Sequence, residues 1–375
     1  VGTRAVRSAA GTLGVAVLAT GLLAGSASAA PGGPVVAYSG VSADHAWGLY
    51  AVDSGTGRQW HVADGLAVDA SWSPDGSRLA WIAYDADDLG HVQVAAADGS
   101  DRRQVDGDGD SRSLAWSSRG TLAWFHRSAW APTDCTTDDR LVRPAFVLQT
   151  PDGARRALGD VAPTASDLTF SPDGTTVVWR ESGPDVCAQA PGELVVADVA
   201  SGRRTVVAGA QDTTGLAFSP DSTALAVTRA TPEGGDVVLV DLAARTARQV
   251  VTDAAGETSA VFVGDGTDLA AVRTTATDRR LVMLDRTANV VRDLGAPPEF
   301  VEQLVASTDR ASVVVAGRSL PSADGAYQDT QLWRQPLDGS AATLLSTNGA
   351  AAVFEAAVTA WGSDAPVLPR RTRSR

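Results

Sequence analysis

Four histidines, two cysteines, ten tryptophans and two short runs of aspartate are the side chains of this sequence with the most chemistry to offer. Imidazole can ligate a metal or move a proton near neutral pH. His45 falls in a loop, His91 at the start of a short apolar run and His126 at the end of one, whereas His61 falls inside such a run. Asp85, Asp87 and Asp88 are followed by Asp106, Asp108 and Asp110 in "DGDGDS". Alternating carboxylates on a glycine-rich loop can turn toward one point, and hard cations prefer oxygen ligands. The expectation is an acidic patch for a divalent cation, Ca²⁺ first, or for a cationic partner. The run lacks the position-six Gly and the closing Glu of a helix–loop–helix calcium loop, and Asp-Gly is also ordinary turn material.

Most of the tryptophans read as packing residues. Trp72, Trp116 and Trp361 end apolar runs, and Trp81, Trp124 and Trp179 lie within the runs that follow similar turns. Trp47 and Trp130 lie at or inside loops and are the aromatics placed to stack on a ligand. A catalytic reading finds no support in local motifs. The sequence contains no G-x-S-x-G elbow, H-E-x-x-H pair, phosphate-binding loop or dinucleotide fingerprint.

Any such residue must be positioned by a scaffold, and the scaffold is repetitive. "SWSPDGSRLAW" (71–81), "TFSPDGTTVVW" (169–179) and "AFSPDSTALAV" (217–227) are near copies. Aligned on the residue before each turn, Trp72, Trp116, Phe170, Phe218, Phe262, Ala306 and Trp361 mark seven anchors spaced 44 to 55 residues apart. That period suits a four-stranded propeller blade. Each unit has an inner strand, a Ser-Pro-Asp-Gly-type turn, an apolar second strand, a third strand and a polar outer strand. Residues 35–62 supply three strands without an inner one, and 354–364 supply one strand with nothing after it. Joining them completes a blade and hides the edges that an open sheet would expose. The fold class is therefore all-β: a seven-bladed β-propeller of four-stranded antiparallel blades, closed by a C-terminal strand that completes the first blade. The alternative is six blades, with the seventh unit an excursion.

The ends read differently. Arg4 and Arg7, the apolar stretch 13–24 and Ala27-Ser28-Ala29 have the pattern of a signal peptide over residues 1–29. The propeller spans 35–364, and 365–375 reads as a disordered basic tail. The Val start and the Ala/Arg/Asp/Gly bias suggest a high-GC bacterium. A net charge of −13 argues against a nucleic-acid surface. No later apolar stretch is long enough to cross a membrane. The expectation is a secreted or extracytoplasmic monomer. In that compartment Cys135 and Cys187, in loops of consecutive blades on one face, should form a disulfide, worth roughly 4 kcal/mol in the chain-entropy model.

With its "SPDG" hairpins, the chain resembles the TolB-type, WD40-like propeller family over nearly all of 35–364. The resemblance implies the propeller, without the α/β domain that precedes it in TolB, a protein that takes part in cell-envelope interactions; that departure argues against the same role here. Similar propellers occur in prolyl peptidases, joined to a hydrolase domain. They also occur in oligogalacturonate lyases with a His-bound metal, which would cast His45, His91 and His126 as ligands. The longest loops, 127–143, 182–193 and 318–330, join second and third strands and so share one face. The reading is a non-catalytic propeller that binds a protein or carbohydrate ligand there. The alternative is a polysaccharide lyase or hydrolase using the same face.

Overall fold

The computed structural model describes residues 34–41, 47–128, 143–182, 192–231, 235–250, 255–287, 289–298, 300–318, 331–345 and 353–358. They form seven four-stranded antiparallel sheets. Blade 1 is β1 (Val35–Val41), β2 (Trp47–Asp53) and β3 (Gln59–Asp64), completed by β28 (Val353–Val358). Blade 2 is β4 (Ala67–Trp72), β5 (Arg78–Tyr84), β6 (Gly90–Ala96) and β7 (Arg103–Gln104). Blade 3 is β8 (Asp110–Trp116), β9 (Leu122–Arg127), β10 (Ala145–Gln149) and β11 (Arg155–Asp160). Blade 4 is β12 (Ser166–Phe170), β13 (Thr176–Ser182), β14 (Gly192–Asp198) and β15 (Arg204–Val206). Blade 5 is β16 (Thr213–Phe218), β17 (Ala224–Arg229), β18 (Asp236–Asp241) and β19 (Thr246–Gln249). Blade 6 is β20 (Gly256–Val263), β21 (Asp268–Thr274), β22 (Arg279–Asp285) and β23 (Val290–Gly295). Blade 7 is β24 (Phe300–Ala306), β25 (Ser312–Arg318), β26 (Gln331–Pro336) and β27 (Thr343–Leu344). The seventh unit is thus a full blade, and the six-blade alternative falls.

Ring closure follows the expected route, with one correction of register. β28 pairs antiparallel with β1, Val36 opposite Val358. In the other blades the anchor faces the first apolar residue of the second strand, as Phe170 faces Val177. Val358 therefore occupies the anchor row, not Trp361, which lies outside the described residues. Aromatic identity misled the alignment, because that row also accepts a small residue such as Ala306 opposite Val313. A buried cluster of Val36, Tyr38 and Val52 with Val305, Val314 and Leu332 welds blade 1 to blade 7. Other clusters likewise join neighbouring blades, so the core lies between the sheets.

The repeated turn owes its letters to hydrogen bonding. Ser73 Oγ donates to Asp75 Oδ1 at 2.6 Å and accepts the Arg78 N–H at 2.9 Å. Asp75 in turn accepts the Ser77 N–H. Ser171 with Asp173 and Ser219 with Asp221 repeat this capping. Gly76 supplies the left-handed corner at φ 66°, but Ser222 and Arg310 take it at 62° and 54° in blades 5 and 7, where a Cβ is costly.

Two further features repeat from blade to blade. The inner strands of blades 2–6 each carry a bulge, with Asp69, Ser113, Asp167, Gly215 or Ser259 at positive φ. In blades 2–4 a buried second-strand indole lies under an arginine from the outer part of its own blade. Arg102 stands 5.3 Å from the Trp81 ring, Arg155 5.7 Å from Trp124 and Arg204 5.3 Å from Trp179. Blade 1 uses Tyr38 and Gln59 in the same places, joined by a 3.2 Å hydrogen bond. Gln59 Nε2 also reaches the Leu345 carbonyl of blade 7.

Candidate functional site

Connections between second and third strands leave one face of the ring, together with those from each outer strand to the next inner strand. Among the described residues the opposite face has tight turns such as 73–77, 171–175 and 219–223. The loop-rich face therefore holds the candidate residues.

In blade 2, His91 is the second residue of β6 and is held on both sides. Its Nε2 lies 3.0 Å from Asp85 Oδ2, and Gln104 Nε2 donates to its Nδ1 at 3.2 Å. Asp85 Oδ1 caps its own loop by accepting the Asp87 and Leu89 N–H groups. The Leu89 N–H and then the His91 hydrogen bond hold the Asp85 carboxyl below the usual range. Asp88 takes a turn position at φ 59°. Asp87 and Asp108 are exposed. Asp106 Oδ2 accepts the Val92 N–H at 2.9 Å.

Asp110 is spent elsewhere. It is 1% exposed, accepts the Gly90 N–H across the blade boundary, and pairs with Arg112 and Arg127. Gly90 is required there, because a Cβ would come within 2.3 Å of the Ser111 carbonyl. Asp85, Asp106 and Asp110 thus act as structural acceptors, and His91 lies 3.0 Å from Asp85 and 4.0 Å from Asp106. Among the described residues no three His, Cys, Asp or Glu side chains are grouped to hold a metal ion.

His126, the last residue but one of β9, faces Ser111, whose Oγ lies 2.9 Å from its Nδ1. A serine beside an imidazole is the start of a nucleophile–base pair. Ser111, however, is 0% exposed, so substrate has no path to its oxygen. The contact holds β8 to β9. His91 and His126 each belong to their own blade, and His45 lies outside the described residues, as do Trp130, Cys135 and Cys187.

Toward the central channel, the bulge residues of blades 2–4 are chained together. Ser113 N–H donates to Asp69 Oδ2 at 3.1 Å, and Asp167 N–H donates to Ser113 Oγ at 3.2 Å. Asp167 is 3% exposed and paired with Arg180, which also donates to the Thr213 carbonyl in blade 5. Burial, then the charge of Asp167, pushes the Asp69 carboxyl up to about 7, against a smaller pull downward from the Ser113 N–H. Blade 6 repeats the acid–arginine pairing with Glu257 and Arg273 at 2.6 Å. Breaking such a buried pair costs about 3–5 kcal/mol, because the remaining charge loses its partner. These channel-side groups are missing from the sequence-based candidates. Their one sequence signal is the Asp, Ser or Gly three residues before the anchors of blades 2–6.

The aromatic candidate Trp47 opens β2 on the same face and is 38% exposed. Its carbonyl accepts the Gly65 N–H at 2.9 Å, which brings the outer-to-inner connection of blades 1 and 2 beside it. Leu66, the next residue of that connection, is 39% exposed, and its carbonyl receives the Tyr84 N–H. Backbone hydrogen bonds thus bring the apolar residues Trp47 and Leu66 and the half-buried Tyr84 to the rim of blades 1 and 2.

Architecture and face together define a seven-bladed β-propeller with one loop-rich side. In fold it is a TolB-like propeller. TolB from Acinetobacter baumannii superposes with a TM-score of 0.55 and 16% identity, covering 88% of this chain and 67% of that one. An acylaminoacyl peptidase gives 0.58 and 12%, over 89% of this chain and 53% of the peptidase. The β-propeller domain of the trilobed protease from Pyrococcus furiosus gives 0.57 and 11%, over 87% and 98%, and is described as having an open velcro topology. The present ring instead closes through β28 and β1. No protein-family model matches the sequence, and no curated protein matches it. Among the described residues no helix is long and apolar enough to cross a membrane.

Proposed function

We propose that the chain is an extracytoplasmic, non-catalytic propeller that binds a protein or carbohydrate ligand through its loop-rich face. The observation that carries this reading is the Trp47–Leu66 rim. An indole offers a large apolar area with a polar edge, which suits both protein hot spots and sugar faces. His91, His126 and the carboxylates of Asp85, Asp106 and Asp110 are tied into intramolecular pairs, which favours recognition over chemistry. The fold itself is compatible with either, since one scaffold hosts many functions.

The test combines a glycan array with affinity capture from culture supernatant, using the parent protein and Trp47→Ala. A specific glycan or protein should bind the parent and weaken by at least tenfold in the variant, about 1.4 kcal/mol. Binding that Trp47→Ala leaves unchanged would move the site away from this rim. Release of shortened or unsaturated sugars from array glycans would replace the proposal with the lyase or hydrolase reading.

A further inference from the structure

Repetition makes vacancies visible. The clamp of blades 2–4 has two fixed addresses. One is the second-strand residue two after the anchor's partner, and the other is two residues before the outer-strand partner in the same row. In blade 2 these are Trp81 and Arg102, since Trp81 faces Gln93 and Gln93 faces Gln104. In blade 7 the row runs Val315, Trp333, Leu344. The second-strand address is Val315 and the outer address is Ala342. Both large side chains of the clamp are replaced by small ones, as they also are in blade 5 (Val227, Ala247) and blade 6 (Ala271, Val291), but among these three blades an indole appears on the strand between them in blade 7 alone.

The space is open. A crevice pocket of about 190 Å³ lies between blades 6 and 7, walled by Val315, Trp333, Ala342 and Gln335 on one side and by Ala296, Pro297 and Pro298 on the other. That volume exceeds the 150 Å³ or so of a cavity that accepts benzene, so one planar group fits. The clamps of blades 3 and 4 show what such a crevice holds. Arg155 donates to the Val105 carbonyl of blade 2. Arg204 donates to the Leu158, Gly159 and Asp160 carbonyls of blade 3. By register, blade 6 presents Leu294, Gly295 and Ala296 at these places, and Ala296 lines the pocket. Among the described residues no Lys or Arg lines it, and the chain carries a net charge of −13, which favours a cationic visitor.

We infer that the blade 6/7 crevice receives an arginine side chain of a polypeptide partner, whose guanidinium stacks on Trp333 and donates to main-chain carbonyls of blade 6. The partner would supply from outside what Arg102, Arg155 and Arg204 supply within blades 2–4. This site is on the ring's flank and stands independently of the Trp47 rim.

The test uses the full chain labelled with ¹⁵N and the probe acetyl-Gly-Arg-Gly-amide, beside its Lys, Phe and Gly analogues. The Trp333 indole N–H resonance is assigned by its loss in Trp333→Phe. The Arg probe should shift it saturably, at least tenfold more tightly than the Phe or Gly probe. Ala342→Arg should rebuild the clamp in cis, abolish the response and raise the Tm. Ala342→Gln, which copies Gln59 of blade 1, serves as the milder block if the arginine variant fails to fold. Equal binding of the Phe probe would make the crevice a neutral ring pocket and overturn the inference. So would a response unchanged in a folded Ala342 variant, or no response to any probe.

Discussion

Asp69→Asn is the most informative single substitution. The Asp69 carboxyl sits on the inner-strand bulge of blade 2, with Asp167 as a neighbouring like charge, and its pKa rises from 3.8 to about 7. For an acid raised in the folded state, the sign is fixed. Below the unfolded pKa both states are protonated and nothing is lost. Between about 4 and 7 the folded state binds the extra proton, so stability falls as pH rises through that window and levels off above it. Three units at 1.36 kcal/mol each bound the penalty at about 4 kcal/mol at pH 8. Asparagine removes the charge, retains an oxygen for the Ser113 N–H and tolerates the φ of 53°. Thermal unfolding of parent and variant at pH 5 and pH 8 reads the difference. The variant should match the parent near pH 5 and exceed it at pH 8, by several degrees at roughly 2–4 °C per kcal/mol. The carboxyls held low, such as Asp85 and Asp285, titrate below this window and cancel in the comparison. A stability difference independent of pH, or one that favours the parent at pH 8, would refute the assignment of a buried, charge-strained carboxyl.

Removal of residues 353–375 strips the inner strand from blade 1 and should lower the Tm by roughly 10 °C or abolish cooperative unfolding, as followed by circular dichroism. Arg310→Gly relieves a left-handed φ of 54° at a turn whose equivalents are Gly76 and Gly174, and should add up to about 1 kcal/mol in chemical denaturation. The proposed Cys135–Cys187 disulfide would make the non-reduced mature protein lighter by two hydrogens than its reduced form; mass spectrometry showing two free thiols would dismiss it.

Blade number and closure were legible because a turn must solve the same backbone problem every time, and Ser73, Asp75 and Gly76 each meet a specific part of it. Register at the seam was not legible, since a row that accepts Phe170, Ala306 and Val358 has no single letter to read. The channel-side bulges escaped for a related reason. Asp69, Ser113, Gly215 and Ser259 share a backbone state that several small polar residues can enter. The clamp was invisible because Trp81 and Arg102 lie two strands apart, and only pairing through β6 brings them together. At the loop-rich face, His91 and His126 were found as residues, but their partners Gln104 and Ser111 come from other strands. Imidazole type alone therefore could not separate a ligand set from hydrogen bonds within each blade.

Beside the apolar clusters between the sheets, several polar ties between neighbouring blades are arginines that donate to main-chain carbonyls. Arg119 reaches Asp173, Arg156 reaches Ala200, Arg180 reaches Thr213 and Arg292 reaches Leu337. Every residue type offers a carbonyl, so each tie constrains the letter on one side only. A blade can change most of its outer sequence and still be held by its neighbour. Contacts between two side chains would have required both partners to change together. A ring stitched in this way can let its copies drift apart, as "SPDG" drifts to "STDR", while the circle stays shut.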